Sequence, residues 1–199
     1  MHYEFVEIGT SDFDTELHRA RGFDRGLSVD PLLVYLNKLP SKDGVHKVLG
    51  AVSGTDGWVD CYYIPEDDIR NHGLPWWLRG CNSVMSMHPT GVAILKNAGL
   101  DPEVVFKSCR VPMYTVKTLF EMYQVSSLGF LKVDTEGHDG VVLNSYMDWL
   151  ACGGARAKQV LFESNVLIDK EVVDRVIERM TALGYVLVSR GEDTVMRCD

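Results

Sequence analysis

Short apolar runs broken by Gly, Pro and acidic turns dominate the first third of the chain. Tyr3 to Ile8 reads as a strand that stops at Gly9. A polar turn, Thr10-Ser11-Asp12-Phe13-Asp14-Thr15, then leads into a short helical stretch through Leu17 and Ala20. Leu27-Ser28-Val29 predicts a second strand ending at Asp30-Pro31. Residues 32–39 predict a helix started by Pro31 in its first turn, and Val45 to Val52 a third strand. Trp58 to Ile64 reads as a further strand, antiparallel to its neighbour. The order β-α-β-α-β is the pattern of a parallel sheet with crossover helices.

Regular periodicity weakens between about 65 and 112, where Pro65, Pro75, Pro89, Pro102 and Pro112 fall among Trp76, Trp77 and a helix-like stretch at 89–98. This region reads as an irregular insertion that shapes a substrate pocket rather than as more sheet. Beyond it, Val116, Leu119, Phe120 and Tyr123 share one helical face, and Leu128 to Val133 is apolar on both faces, as a central parallel strand should be. Val142, Tyr146, Trp149 and Leu150 mark another amphipathic helix, and Gln159 to Glu163 the next strand. Asp169 caps a helix burying Val172, Val173, Val176, Ile177, Met180 and Leu183. Tyr185–Ser189 and Thr194–Arg197 predict a closing hairpin. The expected fold is α/β: one domain over 1–199, a seven-stranded, mostly parallel Rossmann-like sheet with five or six helices and a C-terminal antiparallel hairpin.

Composition and charge narrow the function. The chain has 199 residues, 46% hydrophobic and 24% charged, with a net charge of −8. That balance opposes adhesion to nucleic acid or to anionic membrane, both of which need a basic face. The 5 cysteines form no C-x-x-C pair, so neither a zinc ribbon nor a thioredoxin motif is expected. No two of the 6 histidines show H-x-x-x-H spacing, and no metal site is expected. Free thiols, the lack of a leader-like N-terminus and the lack of a long apolar run point to a cytoplasmic protein.

In a doubly wound sheet, ligands lie beyond the carboxyl ends of the strands. Those ends carry Glu7-Ile8-Gly9-Thr10-Ser11-Asp12, Asp30-Pro31, Ala51-Val52-Ser53, Asp134-Thr135-Glu136-Gly137-His138-Asp139 and Glu163-Ser164-Asn165. Carboxylates at four of five ends suit hydroxyls and cations, not phosphates. Asp30, 21 residues after Gly9, stands where an acid accepts hydrogen bonds from ribose hydroxyls. The phosphate-binding turns G-x-G-x-x-G and G-x-x-x-x-G-K-[ST] are both absent, which opposes NAD, FAD and nucleoside triphosphates. An adenosine without pyrophosphate remains, and S-adenosyl-L-methionine (SAM) fits that description.

The blocks VEIGTSDFDT, GLSVDP, KVLGAVSG, VPMYTVKTL, LGFLKVDTEGHD and VLFES, in this order, resemble those of the FkbM-type SAM-dependent methyltransferases. The Lys132-x-Asp134-x-Glu136-Gly137 block is the most specific, and residues 65–110 are poorly covered. Phe13 stands where the family's first motif has a second glycine. The resemblance implies a class I methyltransferase fold and SAM as cofactor. Glu7, Gly9, Thr10, Ser11 and Asp12 would line its methionine and ribose, Asp30 with Pro31 the ribose hydroxyls, and Ala51, Val52 and Ser53 the adenine. Asp134 would lie at both cofactor and acceptor. Asp134, Glu136 and His138 would face the transferring methyl group, one of them serving as base. The acceptor would be a hydroxyl on a small molecule or glycan, with no nucleic acid and no membrane as partner. The chain opens on its first strand, without the helices that many methyltransferases fold over the cofactor. A homodimer whose partner closes the site is therefore also expected.

Simpler readings compete at each position. Gly9 can be only a turn, Asp30 only a helix cap, and Asp134 with Glu136 only acids placed at a helix N-terminus. His138 can be solvated or capping, and Glu163 can brace a loop. Trp76, Trp77 and His88 can contact an acceptor ring or pack a satellite core. The alternative to an enzyme is a non-catalytic binding module of the same fold that has lost or weakened SAM binding.

Overall fold

The computed structural model describes residues 1–13, 15–22, 24–84, 86–165 and 167–198. Asp14, in the turn expected after the first strand, lies outside them. The described chain forms two compact units, Met1–Gly57 with Pro112–Asp199 and Trp58–Val111.

The larger unit opens with β1 (His2–Ile8), the single helical turn α1 (Glu16–Arg19), β2 (Gly26–Asp30), α2 (Leu33–Lys38), β3 (Val45–Leu49) and β4 (Ala51–Val52). The chain leaves it along β5 (Gly57–Tyr63). The smaller unit then carries α3 (Glu66–Asn71), a 3-10 turn (Trp76–Gly80), β6 (Ser83–Val84), α4 (Pro89–Asn97) and α5 (Pro102–Val105). β7 (Lys107–Tyr114) brings the chain back. There follow α6 (Val116–Met122), β8 (Ser127–Val133), α7 (Asp139–Ala151), β9 (Ala157–Glu163), α8 (Lys170–Ala182), β10 (Val186–Arg190) and β11 (Asp193–Arg197).

Seven strands form the main sheet in the order β10-β11-β9-β8-β1-β2-β3. The five strands from β9 to β3 run parallel, while β11 runs antiparallel to both β9 and β10. Counted among the parallel strands alone, the order is 3-2-1-4-5, that of a doubly wound Rossmann-like sheet, with its switch point between β1 and β8. Alternation along each strand divides the side chains between two faces. Val6, Ile8, Leu131, Val133, Val160 and Phe162 join a core with residues of α6, α7 and α8. Phe5 and Phe130 turn the other way, to Leu17 of α1 and to Leu36 and Leu39 beside α2.

Three local expectations need correction. The third strand does not run unbroken from Val45 to Val52. It ends in the main sheet at Leu49, and after Gly50 the short β4 pairs in parallel with Met113 and Tyr114. Gly50 permits that change of partner because any Cβ there would fall 2.6 Å from the Tyr114 ring. The helix predicted over 32–39 starts at Leu33, with Leu32 as its cap, so Pro31 precedes the first turn rather than opening it. The stretch from 65 to 112 is not irregular. It holds helices and most of β7, an eight-residue strand hidden in the sequence by Pro112 near its end. Ile64, Ile69, Leu78, Leu95, Val105 and Phe106 give the smaller unit its own core, and β5 pairs antiparallel with β6 there.

A buried hydrogen-bond ring joins α7 to the start of β9. The Ala157 amide donates to Tyr146 Oη (2.7 Å), the Tyr146 and Tyr185 hydroxyls are 2.7 Å apart, and Tyr185 Oη donates to the Ala157 carbonyl (2.7 Å). Tyr146→Phe strands the buried Ala157 N–H, which costs about 1–3 kcal/mol. Urea unfolding of the variant is expected to show that loss; an unchanged midpoint would mean the ring adds nothing.

Candidate functional site

The residues expected to line SAM or to face the transferring methyl group all belong to the larger unit. The turn after β1 comes first. Gly9 has φ +83°, and a Cβ on it would lie 1.7 Å from the Asp134 carbonyl oxygen. The turns after β1 and β8 therefore touch backbone to backbone, and Asp134 N–H donates to the Ile8 carbonyl at 2.9 Å. Only glycine permits that approach.

Glu7 lies just beneath and is fully buried. Its carboxylate accepts from the hydroxyls of Thr10 and Thr15, both at 2.6 Å, and from the Glu16 amide at 3.0 Å. Lys132 Nζ stands 3.8 Å from Glu7 and 3.6 Å from Asp134. Glu7 and Thr10 thus hold the turn from inside rather than lining an open surface. Burial pushes the Glu7 carboxyl up to about 7 against the pull of these donors.

Asp30 ends β2 at 5% exposure. One oxygen accepts from the Leu32 amide (2.7 Å) and the other from the Ser11 amide (3.0 Å). The residue is thus both the anchor of α2 and a link to the first turn, and each oxygen keeps further acceptor capacity. Burial drives its carboxyl up to about 7, opposed by the two amides and reinforced by Glu7 and Asp12. Asp12 itself pairs with Lys38 at 3.3 Å. Ser11 and Pro31 are half-buried at the same end of the sheet.

Ala51 and Val52 are buried in β4, and Val52 belongs to the core. Of the three residues expected beside adenine, Ser53 makes the site contact: its Oγ lies 2.9 Å from His138 Nε2. His138 caps α7, half-buried, and burial lowers its pKa, so the ring is neutral at physiological pH. Glu136 (φ +53°) and Gly137 (φ +98°) turn the chain sharply between β8 and that helix.

Two acids carry more of this site than the sequence suggested. Asp139 is fully buried. It accepts from the Thr135 amide and hydroxyl (3.0 and 2.6 Å) and from the Glu163 amide (3.1 Å), tying the turn after β8 to the end of β9. The Thr-x-x-x-Asp spacing was its only sequence signal. Glu163 keeps one oxygen on the Asn165 side-chain amide, while its buried Oε2 has no hydrogen-bond partner among the described residues. Burial first, then the carboxylates of Glu136, Asp139, Asp134 and Asp193, raise it to about 8.

The remaining candidates fall in the smaller unit. Trp76 and Trp77 are exposed, with Arg70 and Arg79 packed on the Trp76 ring at 4.9 and 5.3 Å, whereas His88 is buried. No group of side chains arranged to hold a metal ion occurs among the described residues. Nor is any helix among them long and apolar enough to cross a membrane.

Comparison of the chain with protein-family models, with curated proteins and with solved structures finds no match.

Raised carboxyls make stability depend on pH in a defined direction. Between the ordinary carboxylate range and about 7 to 8, the folded chain keeps protons at Glu7, Asp30 and Glu163 that the unfolded chain has released. The native state binds more protons there, so stability falls as pH rises through that window. Glu163→Gln removes one such group. Its melting temperature should match the parent at about pH 5 and exceed it by a few degrees at about pH 9; equal curves at both values would show that Glu163 titrates normally.

Proposed function

We propose that this chain is a SAM-dependent methyltransferase that transfers a methyl group to a hydroxyl of a small-molecule or sugar-like acceptor. The observation that carries the reading is the buried Asp30 carboxylate at the switch-point end of the sheet. Ser11 of the glycine turn binds one of its oxygens, and further acceptor capacity remains. That is the arrangement a ribose diol needs. The order of the parallel strands supports it, as does the resemblance of the motif blocks to FkbM-type methyltransferases.

The residues present fit this cofactor better than a dinucleotide. The turn after β1 offers one glycine and a string of hydroxyl and acidic groups, with Lys132 already engaged by Glu7 and Asp134. A pyrophosphate would find no glycine-rich cradle there, while a cation meets carboxylates. When bound, SAM supplies an electrophilic methyl on a cationic sulfonium. The protein's share is alignment and proton removal. His138, neutral and held by Ser53, is the group suited to take the acceptor hydroxyl's proton. Asp134 and Glu136 would bias the local field toward a cationic neighbour.

A second reading, a binding module of the same fold without turnover, rests on Phe13 in place of the family's glycine. Calorimetric titration with SAM, and separately with S-adenosylhomocysteine, divides the two. Micromolar binding of either is the expected result, and Asp30→Ala should weaken it by about 1–3 kcal/mol, roughly 5- to 150-fold. No binding by the parent chain would overturn the proposal, and an unchanged affinity in Asp30→Ala would remove the ribose assignment.

A further inference from the structure

A hydroxyl and an imidazole 85 residues apart in sequence meet within the larger unit, where Ser53 Oγ lies 2.9 Å from His138 Nε2. Both ends of the contact are anchored. Ser53 follows β4, and its N–H donates to the Tyr114 carbonyl at 2.9 Å. Further along the same loop, Asp56 accepts from the Thr115 amide and the Thr118 hydroxyl, both at 2.7 Å, which fastens the loop to the start of α6. His138 caps α7, and its carbonyl accepts from the Val141 amide at 3.0 Å. The loop also lies against that helix, since a Cβ on Gly54 would meet the Val141 side chain at 3.6 Å. Two anchored segments thus hold the pair at hydrogen-bond distance.

The distance alone does not say which atom gives the proton, because a hydroxyl and a neutral imidazole nitrogen can each donate or accept. Counting protons decides it. Ser53 is 7% exposed, and its hydroxyl has one proton to place. Among the described residues, His138 Nε2 is the partner that hydroxyl has. If Nε2–H donated instead, the hydroxyl proton would sit in a buried position with no acceptor from the chain. An unmade donor of that kind is a costlier defect than an unused lone pair. The other ring nitrogen is under no such constraint. Among the described residues Nδ1 has no partner, and the ring is half-buried, so an N–H there is given to water.

We infer that Ser53 is the positioning residue of His138: its hydroxyl donates to Nε2 and holds the ring as the Nδ1–H tautomer, with the basic lone pair on Nε2. The proton on one imidazole nitrogen is set by the hydrogen bond that the other makes, and here the constraint acts from Nε2. The role in proton removal rests on the methyltransferase reading. On that reading the acceptor hydroxyl takes Ser53's place as donor to Nε2. Its O–H bond breaks, the proton passes to Nε2, and the electron pair stays on the oxygen that attacks the methyl carbon. The Ser53 hydroxyl turns aside by rotation about its own C–O bond, which moves no backbone. What Ser53 contributes is the choice of nitrogen. Without it the ring divides its proton between Nδ1 and Nε2, and one of the two forms has no lone pair where the acceptor arrives.

Long-range proton–nitrogen NMR spectra of the whole chain without cofactor, at about pH 8 where imidazole is neutral, read the tautomer directly. His138→Gln identifies its signals among those of the 6 histidines. The parent is expected to show a pyrrole-type Nδ1 and a pyridine-type Nε2. Ser53→Ala should move the ring to a mixture containing the Nε2–H form, a change in tautomer ratio of about 5-fold or more. Ser53→Thr, which restores the hydroxyl, should return the parent's pattern. A parent ring protonated at Nε2, an Ala variant with the parent's tautomer, or a Thr variant with the Ala pattern would each overturn the inference. If a variant fails to fold, the parent spectrum still decides between the two tautomers. None of these spectra needs SAM, so a chain that binds no SAM loses the proposed reaction and keeps the tautomer result.

Discussion

One buried contact organises the carboxyl end of the parallel strands. Glu7 and Lys132 face each other directly in the register of β1 and β8, the two central strands on either side of the switch point. Neither is accessible to more than a trace of solvent, and their charged groups stand 3.8 Å apart. Burying both would be costly if the pair were alone. It is not alone. Glu7 also takes Thr10, Thr15 and the Glu16 amide, and Lys132 also reaches Asp134. The same carboxylate that neutralises a core lysine thus fixes the whole turn from residue 10 to the start of α1. Losing Glu7 would take a buried acidic partner from the core lysine, a loss of several kcal/mol, and would release the turn.

The other acids of this end divide by what holds them. Asp139 has three donors and is wholly structural, binding the turn after β8 to the end of β9. Asp30 has two backbone amides and keeps further acceptor capacity on both oxygens. Glu163 has one side-chain donor and a buried oxygen with none among the described residues. The series runs from full satisfaction to incomplete satisfaction across the carboxyl edge of the sheet, and burial raises the carboxyl pKa of all three. Asp30 and Glu163, pushed up to about 7 and about 8, keep protons near neutral pH and are costly to ionise. A cationic ligand arriving at this edge would ease that cost, while an anionic one would add to it.

Much of this was legible in the sequence, and the reasons are local. Gly9 and Asp30 announced themselves because a strand end, a glycine and an acid at a fixed separation are written in consecutive residues. The parallel strands were visible in their continuous apolar runs, LGFLKV above all. What stayed hidden depends on partners distant in sequence. The break of the third strand at Gly50 is decided by Tyr114. β7 looks unlike a strand because of Pro112, and only its pairing gives it away. Asp139 reads as an ordinary first-turn acid of a helix until β9 brings Glu163 N–H to its second oxygen. Ala51 and Val52 were expected beside adenine from the resemblance; both are buried in a strand that pairs with β7.

Gly9 shows how a glycine expected for a ligand's approach is already demanded by the fold. In isolation its lack of a Cβ suggests room for a ligand to approach the backbone. In the folded chain that room is occupied by the Asp134 carbonyl, which a Cβ would meet at 1.7 Å. The glycine is thus required by the protein before any ligand is present: it brings the turn after β1 against the turn after β8. That contact sets the spacing between Ser11, which reaches Asp30, and Asp134, which reaches Lys132. A side chain at position 9 would force the two turns apart and disturb both acids together. Geometry at this end is therefore a property of two loops acting as one, and their contact at Gly9 is where a substitution would be felt by both.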